Sequence, residues 1–312
     1  MAARIGIIGA GQVGAAAAYL LSATPGVQEI VLVDLDRERA AGEAADISHA
    51  AAFGNATNLR DGTCADLAGA GLVVITAGAS LKPGQTRLDL LQQNVRVVSA
   101  VLEGVLKAAP DAVLLFATNP VDVMPALAVK RFGVPAARAV GTGCALDSIR
   151  FRDCLARHLG LSATSVHASV LGEHGDSSVL HWSGARIGGL TVEQAGEQLG
   201  RPLRATQHAQ IAEEVRTSAY RIKAGKGVSN FGIGGCIARL ARAILLDERV
   251  VFSLSTFLPE VLGVTETGLS LPHVLGAEGA SKPLMPWLDP GEEKALRKSA
   301  GIIADKIRQA IR

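Results

Sequence analysis

"RIGIIGAGQVGAAAAYLLS", residues 4–22, decides how this chain begins to fold. Arg4–Ile8 is an apolar run of strand length, and Gln12–Ser22 carries helical periodicity. Between them stands Gly9-Ala10-Gly11-Gln12-Val13-Gly14. The first glycine allows a tight turn, and the second lets backbone N–H groups approach a pyrophosphate. The third allows close packing of helix on strand. The helix N-terminus then faces the anion. Such a motif alone is weak, but here it follows a strand and opens a helix.

The same alternation continues outward. Glu29–Val33, Gly71–Thr76, Ala112–Ala117 and Ala137–Val140 read as strands, with further helical pattern at Arg87–Ala108. Unbroken apolar runs such as "LVVIT" and "AVLLFAT" suit strands buried on both faces. A parallel, Rossmann-type doubly wound α/β sheet follows. Asp34 ends the second strand about 20 residues past the last motif glycine, where an acid bonds the ribose hydroxyls and repels a 2′-phosphate. That favours NAD over NADP; a helix N-cap is the plainer role for Asp34. From about Thr142 the rhythm changes. A helix over Asp147–His158 leads to a strand over Ser165–Leu171. Helices near 203–223 and 234–247, a β-rich stretch near 250–275 and a final helix from about Gly291 complete the chain. The expected division is residues 1–142, an NAD-binding domain, and 143–312, an α+β substrate domain.

Composition narrows the class. The chain has 312 residues, room for two domains, and is 48% apolar with only 4% aromatics. Its core is therefore aliphatic. A net charge of +2 argues against nucleic acid or a bulk membrane surface as partner. The four cysteines, Cys64, Cys144, Cys154 and Cys236, follow neither a disulfide nor a zinc spacing, so no metal is expected. A cytoplasmic location is the default reading, because no signal-peptide pattern or membrane-length apolar run is present.

Three stretches carry chemistry. "LGEHGDS", 171–177, puts His174 just past a strand between Gly172 and Gly175. "GCALDSIRFR", 143–152, puts Asp147 and Arg150 on one face of a helix start. Asp147 can hold one imidazole nitrogen while the other exchanges a proton. Arg150 can grip a carboxylate through two parallel hydrogen bonds. The plain alternative for that pair is a surface ion pair. In "FATNPVDV", 116–123, Asn119 stands at the carboxyl end of a parallel sheet, where ligands of open α/β folds bind. A fourth stretch, "GASLKPGQTR" over 78–87, reads as a hinged loop carrying Lys82 and Arg87 beside Leu81.

Taken in order, "GAGQVG", "KPGQTRLDLLQQN", "TNPVD", "LDSIRFR", "GEHGDS" and "KGVSNFGIG" resemble the lactate/malate dehydrogenase family, its lactate branch most closely. The likeness covers essentially the whole chain. It implies that NAD is the cofactor, held by Gly9, Gly11, Val13, Gly14, Asp34 and Asn119. It also implies a 2-oxo acid substrate, with His174 as proton donor and acceptor and Asp147 orienting it. Arg150 would bind the substrate carboxylate, and Arg87 would polarise the carbonyl when the loop closes. Asn119 would bond the substrate oxygen, and Ser229 would replace the family's usual threonine in the substrate site. Leu81 departs from the pattern, since the family carries glutamine there for lactate and arginine for malate. A second substrate carboxylate would meet an aliphatic group, at a cost of several kcal/mol. The expected order is therefore pyruvate, then longer branched or aromatic 2-oxo acids, then oxaloacetate. Arg152 and His167 match positions that bind fructose 1,6-bisphosphate across a subunit interface in bacterial relatives. That implies a homotetramer, with a dimer as fallback. Two alternatives stand apart: a catalytically silent NAD-binding module, and an NAD-dependent glycosidase. The first should have lost His174, Arg150 or Arg87; the second needs metal-binding Cys and His motifs that are not seen.

Overall fold

The computed structural model describes residues 3–54, 57–79 and 86–311, and of Arg87 the backbone alone. Leu81 and Lys82 lie outside the described residues. The first half alternates as its pattern requires: β1 (Ala3–Ile8), α1 (Gln12–Ser22), β2 (Val27–Val33), α2 (Arg37–Ala51), β3 (Asn58–Gly62), β4 (Leu72–Ile75), α3 (Arg87–Ala108), β5 (Val113–Phe116), α4 (Met124–Phe132) and β6 (Ala139–Gly141). These six strands are parallel, in the order β3-β2-β1-β4-β5-β6. The chain direction of winding reverses between β1 and β4, which opens a crevice at the strands' carboxyl ends.

The apolar strands are buried on both faces because helices cover both. On one face α3 and α4 deliver Val95, Val98, Leu102, Met124 and Leu127 onto the sheet. On the other, α1 and α2 deliver Ala17, Leu21, Ala44 and Ile47. β3 has no apolar run to announce it. Its sequence is NLRDG, and as the edge strand it buries only part of itself.

The second half begins with α5 (Ala145–Leu159), followed by two-residue strands β7 (Val166–His167), β8 (Val170–Leu171), β9 (Val179–Leu180), β10 (Arg186–Ile187) and β11 (Leu190–Thr191). Then come α6 (Val192–Gln198), α7 (Ala205–Lys226), α8 (Phe231–Leu245), β12 (Val250–Val261), β13 (Val264–Gly276), β14 (Gly279–Ala280) and α9 (Pro290–Ile311). The single strand expected over Ser165–Leu171 is two, and they belong to different small sheets. Side chains of α5 and a distant backbone group take the place of a continuous ladder there. Arg152 Nε donates to the Ala168 carbonyl at 2.8 Å, and the Val170 N–H donates to Ser148 Oγ at 2.9 Å. The Ser169 carbonyl accepts from the His181 N–H at 3.0 Å.

The main sheet does not end at residue 142. β12 pairs antiparallel with β6, β13 with β12 and β14 with β13, giving nine strands in all. α8 and α9 likewise cover opposite faces of it, through Ile237, Leu240 and Ile244 on one side and Ile303 and Ile307 on the other. α8 approaches α1 closely, since a Cβ on Gly234 would lie 2.9 Å from that of Ala16. Among the described residues no helix is long and apolar enough to cross a membrane.

Candidate active site

The nucleotide end of the crevice is built from backbone. Gly9 has φ +105°, and a Cβ on Gly14 would lie 1.8 Å from the Gly9 carbonyl oxygen. Neither position accepts a side chain without moving the turn. Gly11 differs, because its Cβ would point into open space. It is the N-cap of α1, and no side chain caps the helix. The first N–H groups of α1 therefore face an uncrowded concavity, which suits a pyrophosphate. Val13, in that first turn, is half-buried.

Asp34 directly follows β2, and its carboxylate is held by two backbone donors, Ala10 N–H at 2.6 Å and Asp36 N–H at 3.0 Å. It is not the N-cap of α2. That role falls to Asp36, which accepts the Arg39 N–H at 3.0 Å. Asp34 thus joins the glycine turn to the end of β2, where an acid can meet ribose hydroxyls. Arg37, beside it in sequence, is paired with Asp61 at 3.0 Å. These residues fit a dinucleotide without a 2′-phosphate.

The reactive end lies in a cleft of about 720 Å³. Asp147 and Arg150, one turn apart on α5, both line it, and so does His174. Asp147 divides its oxygens between them. Oδ2 meets His174 Nδ1 at 2.6 Å, and Oδ1 accepts from Arg150 at 2.8 Å. The Asp147 and Arg150 side chains are only 12% and 13% exposed, so this is no solvated surface pair. Because Nδ1 is engaged by Asp147, Nε2 is the ring nitrogen available to a ligand. The Asp147 carboxylate pushes His174 up to about 9, against the effect of burial. Burial by itself would raise Asp147, but His174 and Arg150 beside it hold its carboxyl below the usual value.

Asn119 and Pro120 line the same cleft, joined by a cis peptide bond. Asn119 is exposed, and its backbone carbonyl accepts from Asn94 Nδ2 at 2.7 Å. Arg87 is the first residue of α3, and the following turn brings Leu88, Leu90 and Leu91 to the cleft wall. Ser229 is half-buried in the connection between α7 and α8 and is not part of the described cleft lining. From that part of the chain, Val215, Arg216, Ala219 and Tyr220 of α7 line it instead. Arg152 is half-buried against the Ala168 carbonyl, one residue from His167, which is exposed on β7. Neither residue is part of the described cleft lining.

Several supporting residues are not singled out by the sequence. Asn94 also accepts from Ala79 N–H at 2.7 Å, so one buried amide ties the segment after β4 to the Asn119 turn. Glu173 pairs with Lys306 of α9, and its N–H donates to Ser299 Oγ at 2.8 Å. Asn94 and Glu173 lie inside the quoted motifs, and that position was the available signal. Nothing local marks Lys306 or Ser299, which reach the site from the last helix.

A glycine-cradled nucleotide site feeding a cleft that holds an aspartate-propped histidine and an arginine defines a class: NAD-dependent dehydrogenases of 2-hydroxy acids. Residues 3–141 match the family model described as lactate/malate dehydrogenase, NAD binding domain, and residues 144–312 match that family's alpha/beta C-terminal domain. The chain belongs to the lactate/malate dehydrogenase family. It is 50% identical to L-lactate dehydrogenase of Thermus aquaticus over 300 residues, covering 96% of this chain and 97% of that one. It is 46% identical to L-lactate dehydrogenase of Allorhizobium ampelinum over 302 residues, 97% of each. A crystal structure of minor L-lactate dehydrogenase from Enterococcus mundtii, in its ligand-bound form, superposes with a TM-score of 0.94 at 33% identity and 98% coverage of both chains.

Proposed function

We propose that the chain is an L-lactate dehydrogenase, catalysing the reversible NAD-dependent reduction of pyruvate. The observation that carries this reading is the Asp147 carboxylate shared between His174 and Arg150 at the wall of one cleft. Close relatives named for lactate support it. NADH, when bound, supplies the hydride. The protein does the rest. Arg150 binds the substrate carboxylate, and Asp147 keeps the imidazole in the orientation that presents Nε2. His174 gives its proton to the C2 oxygen in reduction and takes it back in oxidation. Arg87 and the Asn119 amide stabilise charge growing on that oxygen. Ser229 completes the substrate site, and Gly9, Gly11, Val13, Gly14, Asp34 and Asn119 hold the cofactor. We place the NAD-binding part at 1–142 and the substrate part at 143–312, where the parallel strands end. A cytoplasmic, glycolytic role fits this chemistry.

The cleft's apolar wall, with Leu88, Leu91, Val215 and Ile302, favours a second reading: a longer branched or aromatic 2-oxo acid. Arg216 reaches the same cleft, so oxaloacetate belongs in the test. NADH consumption with pyruvate, 2-oxoisocaproate, phenylpyruvate and oxaloacetate decides among them, and pyruvate should give the highest kcat/KM. Leu81→Arg should raise the ratio of oxaloacetate to pyruvate turnover by about tenfold or more, because it supplies the missing partner for a second carboxylate. An unchanged ratio would mean that residue 81 does not face the substrate.

For the assembly we propose a homotetramer, with a dimer as fallback, binding fructose 1,6-bisphosphate through Arg152 and His167. The bond from Arg152 to the residue that follows His167 supports this. Low-millimolar bisphosphate should lower the pyruvate concentration for half-maximal rate; no response would remove the effector site.

A further inference from the structure

Asp122 closes the turn that begins at Asn119, and it is 2% exposed. Its Oδ2 accepts the backbone N–H of His174 at 2.8 Å. Its Oδ1 accepts from Ser270 Oγ of β13 at 3.4 Å. Ser270 Oγ in turn accepts the N–H of Cys144 at 3.0 Å, and Cys144 is the N-cap of α5. One carboxylate therefore joins the Asn119 turn, the His174 turn and, through Ser270, the start of the helix that carries Asp147 and Arg150.

The bond to the His174 N–H does not by itself need a charge. An asparagine of the same shape offers an acceptor oxygen to the His174 N–H, without the penalty of burying an ion. The neighbours explain the carboxylate. Glu173, next in the turn, is matched by Lys306 of α9. Among the described residues no lysine or arginine pairs with Asp122. The His174 imidazolium attracts it, while burial and the Glu173 carboxylate oppose its ionisation.

We propose that Asp122 is a positioning residue of this site: it fixes the His174 turn through the backbone N–H and adds a second negative charge that keeps the proton on the imidazole. This rests on His174 being the proton carrier. Among the described residues, the other ionisable groups around the site are Asp147 and Arg150 of α5 and the buried thiol of its N-cap Cys144, Glu173 and Asp176 from the His174 turn, Arg216 and Tyr220 from α7, the Cys236 thiol from α8, and Asp305 and Lys306 from α9. β12 and β13 face Asp122 with hydroxyls only, Ser255 and Ser270. Burial pushes Asp122 up to about 6, against the pull of His174. The carboxylate thus becomes charged below the pH at which His174 loses its proton.

The test is an NMR titration of the His174 ring in the full-length protein without substrate. In the unsubstituted protein the His174 resonance should show, besides its main step, a smaller inflection near pH 6 as Asp122 ionises. In Asp122→Asn that inflection should vanish and the main step should move to lower pH by about half a unit or more. The alkaline limb of kcat/KM for pyruvate should move with it, while NADH affinity stays unchanged. A folded Asp122→Asn protein with an unmoved His174 step overturns the proposal, even if kcat falls, because that loss would be structural. If the variant does not fold, a carbon-13 titration of the Asp122 carboxyl in the unsubstituted protein decides: a carboxyl that stays protonated up to the pH at which His174 loses its proton overturns the proposal. The titration reads protonation directly, so it stands apart from which 2-oxo acid is turned over.

Discussion

Asp147→Asn should lower kcat/KM for pyruvate by about 100- to 10,000-fold at neutral pH, the span over which a positioned acid or base acts. The carboxylate does two things that an amide cannot do together. It accepts from His174 Nδ1 at 2.6 Å and from Arg150 at 2.8 Å, and it carries the charge that raises His174 to about 9. Without that charge the imidazole returns toward its ordinary value, and the fraction carrying a proton at pH 7–8 falls. The alkaline limb of pyruvate reduction, set near pH 9 in the free enzyme, should therefore move to lower pH. Stability moves in the same sense. A group whose folded pKa is raised contributes stability that is complete below its unfolded value, about 6.5, and is lost as pH rises through the folded value. Thermal melts from pH 7 to 10 should decline more steeply for the unsubstituted protein than for Asp147→Asn. Parallel melting curves together with an unmoved activity limb would show that Asp147 does not set the histidine's proton affinity.

Arg150→Lys should raise the pyruvate KM by about 30-fold or more, corresponding to about 2 kcal/mol from loss of paired charged hydrogen bonds. A lysine keeps the positive charge but not the planar fork. It also cannot bond Asp147 and present two parallel donors to a carboxylate at once. NADH affinity, read by fluorescence titration, should stay within about twofold, because an arginine on α5 at the acid end is remote from the glycine turn. Equal weakening of substrate and cofactor would remove the clamp assignment.

The two substitutions also mark how far the sequence could be read. The Gly9–Gly14 turn, α1 and α3 are legible because their signals are local: glycine spacing, helical period and caps such as Thr86 with Asp89. The apolar strands are legible because burial on both faces leaves an unbroken run. β3 is not, because an edge strand needs no such run, and Ser165–Leu171 misleads because side chains of α5 satisfy its backbone. Residues 172–175 show the same boundary within one turn. His174 is evident from its motif, yet what holds it comes from Asp122, Ser299 and Lys306, which are distant in sequence.

The sequence by itself determined the doubly wound sheet, the nucleotide turn and the motifs that carry the proposed reacting side chains, because backbone geometry and residue chemistry are fixed within a few positions. Only the tertiary structure decided that β12–β14 extend the first sheet, that Asp36 rather than Asp34 caps α2, and that Asp147 serves two partners at once. It also decided that one buried carboxylate joins two turns and, through Ser270, a helix start. Proton affinity depends on charges brought within a few ångströms and shielded from water, and that proximity comes from packing segments far apart along the chain.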